Sequence, residues 1–141
     1  MHTLLQGITM LDKSMRIVVA DKNAAQRYAI EKMLNALGYF RVALASSAEE
    51  ALKLTQVTTC PVSLLVIEEG LHWCSCVKNS PADQPWQPPA CIVRYRSHAR
   101  SVSFLSWESF FTGMPDMNLL SNVLSACSPI HRSPEPVEPE N

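Results

Sequence analysis

The sequence predicts an α/β protein built on a parallel sheet. Ile17 to Ala20 is a continuous apolar run, as expected of a strand that is covered on both faces. A helical stripe spaced i, i+3, i+4 and i+7 follows that run and consists of Ile30, Met33, Leu34 and Leu37. A second buried-strand pattern lies at Leu64 to Ile67. Alternating strands and helices of this kind favour a sheet with helices on its faces.

The first half of the chain carries clear start and stop signals. Gly38 is expected to end the first helix, and a second strand is predicted at about Arg41 to Ala45. Ser46-Ser47-Ala48-Glu49-Glu50 contains two overlapping capping boxes, so a second helix should begin there and run to about Gln56.

The second half is less regular. Residues 72–90 contain four prolines and no helical period, so the third helix is expected to be short or replaced by a loop. Ile92 and Val93 indicate a fourth strand, and Phe110 and Phe111 a fifth. Asp116 should cap a last helix whose apolar stripe comprises Leu119, Leu120, Val123, Leu124 and Cys127.

Length and composition indicate one domain. The 141 residues are 47% hydrophobic and carry a net charge of −1, which does not suggest nucleic-acid binding. Residues 1–14 are expected to be a loose leader without signal-peptide or membrane-span features, and Met15 is an alternative start. The domain is predicted at 15–128, followed by a disordered Pro/Glu-rich tail at 129–141.

From Ile17 to His72 the order of elements resembles a response-regulator receiver domain, especially the chemotaxis-type single-domain regulators. The resemblance is carried by the acidic turn Asp21-Lys22-Asn23, the helix ending in LGY, the helix starting SSAEEAL, and the strand SLLVIEE. It implies a flavodoxin-like, doubly wound, five-stranded parallel sheet in the order 2-1-3-4-5, with the third and fourth helices shortened or replaced by loops. It also implies a bacterial, cytoplasmic protein of two-component signalling.

In that family an aspartate at the end of the third strand accepts a phosphoryl group, with Mg²⁺, a hydroxyl residue and a lysine. Asp21 matches the first metal-binding acid of the family. Four other positions depart from the pattern: Lys22 replaces the second acid, Glu68 the phospho-acceptor, Arg96 falls near the hydroxyl, and Met114 replaces the lysine. The resemblance therefore predicts a degenerate pocket, a pseudo-receiver with no catalytic residues.

The charge of Lys22 also leads to the expectation of a degenerate pocket. An ammonium at position 22 would repel Mg²⁺, which binds carboxylate, phosphate and water oxygens. We hypothesise that Lys22 pairs with Glu68 and that Mg²⁺ binding is lost, so no cofactor is expected. The alternative is that Lys22 points to solvent and Glu68 has no function.

The five cysteines are odd in number and lack framework spacing, so reduced thiols are expected. His72, Cys74 and Cys76 resemble half of a soft-metal site, but the sequence offers no second pair with zinc spacing, and no metal is predicted.

Aromatic residues offer two interpretations. Trp73 and Trp86 are expected to pack the 72–90 loop onto the sheet rather than to form an exposed patch. Phe104, Trp107, Phe110 and Phe111 either form an interaction surface for docking or dimerisation, or fill the core beside a shortened fourth helix.

The sequence thus predicts a non-enzymatic, stand-alone receiver-like regulator of a phosphorelay. It should not be phosphorylated by the usual Mg²⁺-dependent aspartyl route and should act through protein–protein interaction. Its expected partner is a histidine kinase, another signalling protein, or a second copy in a homodimer, with neither nucleic acid nor membrane involved. The alternative is a functional phosphoryl acceptor that uses Glu68 or a neighbouring acid.

Overall fold

The computed structural model describes residues 13–56, 60–79, 88–96, 104–105 and 108–127, with the backbone alone at 104–105 and 108–112. The strands are β1 (Arg16–Ala20), β2 (Val42–Ala45), β3 (Val62–Glu68), β4 (Cys91–Arg96), β5 (Phe104–Leu105) and β6 (Glu108–Thr112). The helices are α1 (Ala24–Ala36), α2 (Ala48–Thr55), α3 (Trp73–Lys78) and α4 (Met117–Cys127), and a short 3₁₀ turn spans Glu69–Leu71.

The strands form one α/β sheet in the order β2-β1-β3-β4-β6-β5. Strands β2, β1, β3, β4 and β6 run parallel, whereas β5 pairs antiparallel with β6. The predicted five-stranded sheet is therefore not confirmed, because the described residues add a sixth strand at the edge. This strand lies in the segment where the sequence left room for a shortened fourth helix.

The sheet separates two apolar clusters. One face packs Ile17, Val19, Leu64, Val66, Val93 and Tyr95 against Ile30 and Leu34 of α1 and Leu120, Leu124 and Cys127 of α4. The other face packs Val18, Ala20, Leu65, Ile67 and Ile92 against α2 and Trp73. Successive strand residues point to opposite faces, so each buried strand contributes to both clusters.

Helix α1 follows the sequence signals closely. The Asn23 side chain accepts a hydrogen bond from Gln26 N (3.0 Å) and caps its start. Its apolar stripe packs on the first face, with Ile30 and Leu34 fully buried. Gly38 (φ +98°) ends it as predicted, since this left-handed backbone favours glycine.

Helix α2 begins with a variant of the predicted capping box. Ser47 Oγ accepts from Glu50 N (3.1 Å), while Glu50 Oε1 accepts from the backbone N–H of Ser46 (2.6 Å). Hydrogen bonds from the backbone and the hydroxyl of Ser46 lower the pKa of Glu50. The carboxylate thus reaches one residue further back than in the standard motif.

Helices α3 and α4 also agree with what the sequence predicts. Helix α3 is only six residues long, and Trp73 is buried on the second face, as the packing interpretation of that tryptophan expects. Trp86 lies outside the described residues. Asp116 Oδ1 accepts from Leu119 N (2.8 Å) and caps α4, as predicted.

The expectation of five reduced thiols is wrong for two of them. Cys91, the first residue of β4, and Cys127, the last residue of α4, form a disulfide with a Cα–Cα distance of 6.1 Å. They are 36 residues apart and belong to no framework pattern, so only the packing of α4 on the sheet brings them together. Cys60, Cys74 and Cys76 are free.

None of the helices in the described part of the chain combines the length and apolar character needed to cross a lipid bilayer.

Candidate functional site

The candidate site lies at the carboxyl ends of β1, β3 and β4, the edge where open parallel sheets place ligands. Asp21 directly follows β1 and is one of two buried polar residues in the described chain, at 2% exposure. Its Oδ1 accepts from Asn23 N (2.8 Å), and its Oδ2 accepts from Gln26 Nε2 (2.8 Å). Buried carboxylates are tolerated where such donors compensate for lost water.

A third donor comes from Tyr95. Its hydroxyl donates to Oδ2 of Asp21, and the tyrosine is fully buried. Burial first, then the hydrogen bond to Asp21 and the negative charges of Asp21 and Glu68, raise the pKa of Tyr95 far above its ordinary range. The hydroxyl therefore stays protonated and acts as a donor.

The strand registers show which strand lies between Tyr95 and Asp21. Tyr95 pairs with Glu68 of β3, and Ala20, the residue before Asp21, pairs with Ile67. Strand β3 thus lies between β1 and β4, so the Tyr95 side chain spans the carboxyl end of β3 to reach Asp21. Tyr95 and Glu68 are register partners, so their side chains lie on the same face of the sheet.

Glu68 turns back onto its own chain. Its Oε1 accepts from Gly70 N (2.7 Å) and caps the 3₁₀ turn. A Cβ at position 70 would meet that oxygen at 2.6 Å, so any other residue there would force the Glu68 carboxylate to shift. Glu68 is half-buried beside the Tyr95 hydroxyl.

The hypothesised Lys22–Glu68 pair is not formed. Lys22 is exposed, and within the described residues it makes no ion pair with either Asp21 or Glu68. The structure instead follows the alternative, in which Lys22 points to solvent. The physical reason is that Asp21 already has three uncharged donors and Glu68 has the Gly70 amide.

Arg96 does not reach the site either. Arg94 and Arg96 have the opposite parity to Tyr95 on β4 and turn towards Glu69, with nitrogen–oxygen distances of 3.4 and 3.8 Å. Arg94 Nη1 also donates to Cys74 Sγ (3.0 Å). These side chains tie the end of β4 to the turn after β3.

Met114, at the position that corresponds to the family's lysine, is half-buried and packs against the apolar cluster of the first face. It contributes no charge to the strand ends.

His72, Cys74 and Cys76, for which no metal is predicted, lie at the start of helix α3. His72 precedes the helix with a left-handed backbone, and Cys74 accepts the Arg94 hydrogen bond. Burial and the charge of Glu49 raise the pKa of Cys76, which favours the thiol over the metal-binding thiolate. No group of three metal-ligating side chains occurs among the described residues.

Several predicted residues cannot be placed in full. Trp107, the leader up to residue 12 and the tail from residue 128 lie outside the described residues. Phe104 lies on β5, and Phe110 and Phe111 lie on β6, but their side chains are not described. Whether these aromatics form an interaction surface or a core stays a prediction.

Sequence reasoning missed Tyr95. The available signal was parity: on a buried strand, the residue two positions after Val93 shares its face, and that face ends at Asp21. The resemblance pointed to Arg96 instead, and the parity of Arg96 on β4 places it on the other face of the sheet.

The site does not fit Mg²⁺. A carboxylate offers about four acceptor directions, and three of those of Asp21 are used by protein donors. Mg²⁺ requires near-octahedral oxygen ligands and is commonly held by one or two carboxylates. Here Lys22 stands in place of one acid, and the Tyr95 hydroxyl donates a hydrogen bond to the other, Asp21.

Comparisons with solved structures identify the fold. The chain is similar to a CheY-like response regulator receiver domain from Methylobacillus flagellatus, with a TM-score of 0.61 and 15% identity, over 82% of this chain and 99% of that one. It is also similar to a response regulator receiver domain protein from Bacillus halodurans C-125 (TM-score 0.59, 17% identity, 82% and 98% covered).

A third similar structure is the N-terminal domain of a response regulator/sensory box/GGDEF three-domain protein from Carboxydothermus hydrogenoformans (TM-score 0.57, 13% identity, 79% and 92% covered). These neighbours come from response regulators, and the fold is receiver-like. No protein-family model matches the sequence, and a comparison with curated proteins finds no match.

Proposed function

We propose that this chain is an atypical receiver-like regulator of two-component or phosphorelay signalling that has lost Mg²⁺-dependent aspartyl phosphorylation. It acts as a binding module, without enzymatic activity. The observation that carries the proposal is the Tyr95 hydroxyl on Asp21, because a protein donor takes up an oxygen of the one carboxylate that matches the family's metal-binding acids.

The chemistry supports the loss of phosphorylation. Phosphoryl transfer depends on positioning and on neutralising the charge of the transferred group. Lys22 is exposed, Met114 is apolar, and the Glu68 carboxylate accepts a hydrogen bond from the backbone N–H of Gly70. Among the described residues, the second acid and the lysine of the family pattern are thus replaced by groups that would not stabilise a phosphoryl group in the same way.

With phosphorylation lost, regulation is proposed to come from the presence or amount of a protein partner. That partner is a histidine kinase, another signalling protein, or a second copy of the chain, and the proposed location is the bacterial cytoplasm. The receiver-like fold of the structural neighbours supports a role in signalling.

The test is incubation of the full chain with Mg²⁺ and a small phosphodonor such as acetyl phosphate, followed by intact mass spectrometry at short times. The proposal predicts no phosphoryl adduct under conditions that label a functional receiver assayed in parallel. A stoichiometric, Mg²⁺-dependent adduct on Glu68, Glu69 or Asp21 would instead establish the alternative, a working phosphoryl acceptor.

A further inference from the structure

The disulfide joins the end of α4 to the end of β4 that lies away from the Asp21 site. Cys91 begins β4, at the opposite end of that strand from Tyr95 and Arg96, and Cys127 ends α4. Their Cα–Cα distance of 6.1 Å lies in the range that a disulfide spans without backbone movement. The two backbones are therefore spaced as a disulfide requires.

The two sulfurs differ in access. Cys91 is half-buried at the edge of the first-face cluster, whereas Cys127 is 1% exposed within it. Thiol–disulfide exchange requires the attacking thiolate to reach a sulfur in line. A small thiol or disulfide from solvent therefore reaches Cys91 before Cys127.

We propose that Cys91 and Cys127 form a reversible thiol–disulfide site whose reaction partners are low-molecular-weight disulfides and thiols. For oxidation, the Cys91 thiolate attacks a small disulfide and releases one small thiolate, which leaves a mixed disulfide on Cys91. Cys127 loses its proton and attacks the Cys91 sulfur, which releases the second small thiolate. Two protein thiols are oxidised and one small disulfide is reduced to two thiols. Reduction is the reverse sequence.

Whether Cys91 and Cys127 are oxidised or reduced determines how firmly the last turn of α4 is held against the sheet. Leu120, Leu124 and Cys127 are the buried residues of α4, so the disulfide fixes the last of its three anchors. An open groove beside the same turns is lined by Lys13, Leu37, Tyr39, Ser121, Leu124 and Ser125. Reduction should loosen the last turn of α4 along that groove.

The first experiment follows exchange in the full chain. Reduced protein is mixed with oxidised glutathione, quenched by alkylation and mapped by mass spectrometry. Cys127→Ser should accumulate glutathione on Cys91, and Cys91→Ser should react at Cys127 roughly tenfold more slowly, because access limits exchange. Cys60→Ser, which removes a free thiol, should form the Cys91–Cys127 disulfide like the wild type.

The second experiment needs no variant. Hydrogen exchange of the oxidised and reduced wild type should show faster exchange in the last turn of α4 after reduction, with β1 and β3 unchanged. Failure of the wild type to form this disulfide with oxidised glutathione overturns the proposal, as does equal reactivity of the two single variants. Identical α4 protection in both states overturns its structural consequence.

Discussion

The Tyr95 hydroxyl donates a hydrogen bond to the Asp21 carboxylate across the end of β3, although 74 residues separate the two in sequence. The contact links the first and fourth strands of the chain through a side chain rather than through the sheet. It also helps to compensate for the water that the buried Asp21 carboxylate has lost.

Tyr95→Phe should destabilise the protein. The substitution keeps the ring but leaves Oδ2 of Asp21 without one of its two donors, and a lost partner of a buried charged group costs about 1–3 kcal/mol. Urea denaturation measures the effect. Tyr28→Phe is the matched control, because Tyr28 is 53% exposed and its change should stay within about 0.5 kcal/mol. Equal effects of the two substitutions would contradict the role given to Tyr95.

The same contact predicts a loss of stability in alkali. The pKa of Tyr95 is raised in the folded state, so the stability that it provides is fully present below the unfolded tyrosine pKa of about 10. Above that pH the unfolded chain releases the proton and the folded chain retains it, so stability falls as pH rises. Between about pH 9 and pH 11, the wild type should therefore lose more stability than Tyr95→Phe. If both proteins lose stability equally as pH rises, the folded chain does not hold the Tyr95 proton more tightly than the unfolded chain.

Gly70→Ala tests the turn that holds Glu68. The added Cβ would meet Glu68 Oε1 at 2.6 Å, so the carboxylate must move and the bond to the Gly70 amide weakens. We expect a loss of about 1–2 kcal/mol in unfolding free energy. In a Glu68→Ala background the same change should cost much less, because the clashing oxygen is gone. A cost that is independent of residue 68 would place the strain elsewhere.

Restoring the family's two aspartates should not be enough to recover Mg²⁺ binding. Lys22→Asp with Glu68→Asp supplies them, but the Tyr95 hydroxyl still takes up an oxygen of Asp21. Adding Tyr95→Ala should produce a Mg²⁺-dependent change in tryptophan fluorescence that the double variant lacks. Tyr28→Ala added to the same double variant is the control. Full Mg²⁺ binding by the double variant alone would show that Tyr95 is no obstacle.

Local signals predicted much of the fold. The apolar runs predicted β1 and β3, the stripe and Gly38 predicted α1, and Asp116 predicted the start of α4. The sixth strand was missed because a two-residue antiparallel strand is too short to produce a sequence period. The Cys91–Cys127 disulfide was missed because it depends on the packing of α4 rather than on spacing.

The site was predicted in part. Asp21 and Glu68 were placed at the same edge because parallel strands end together, and their registers agree with that placement. The Lys22 pairing failed because opposite charges at adjacent strand ends do not fix side-chain direction, and uncharged donors already satisfy the acids. Tyr95 required knowledge of which face of β4 meets Asp21.

The most direct test of the central claim is a Mg²⁺ titration of the wild-type chain followed by backbone amide NMR. If Tyr95 fills the site, millimolar Mg²⁺ should leave the amide shifts of Asp21, Glu68 and Tyr95 unchanged. Saturable shifts confined to these strand ends, with displacement of the Tyr95 hydroxyl from Asp21, would show that the metal site is intact and would contradict the account.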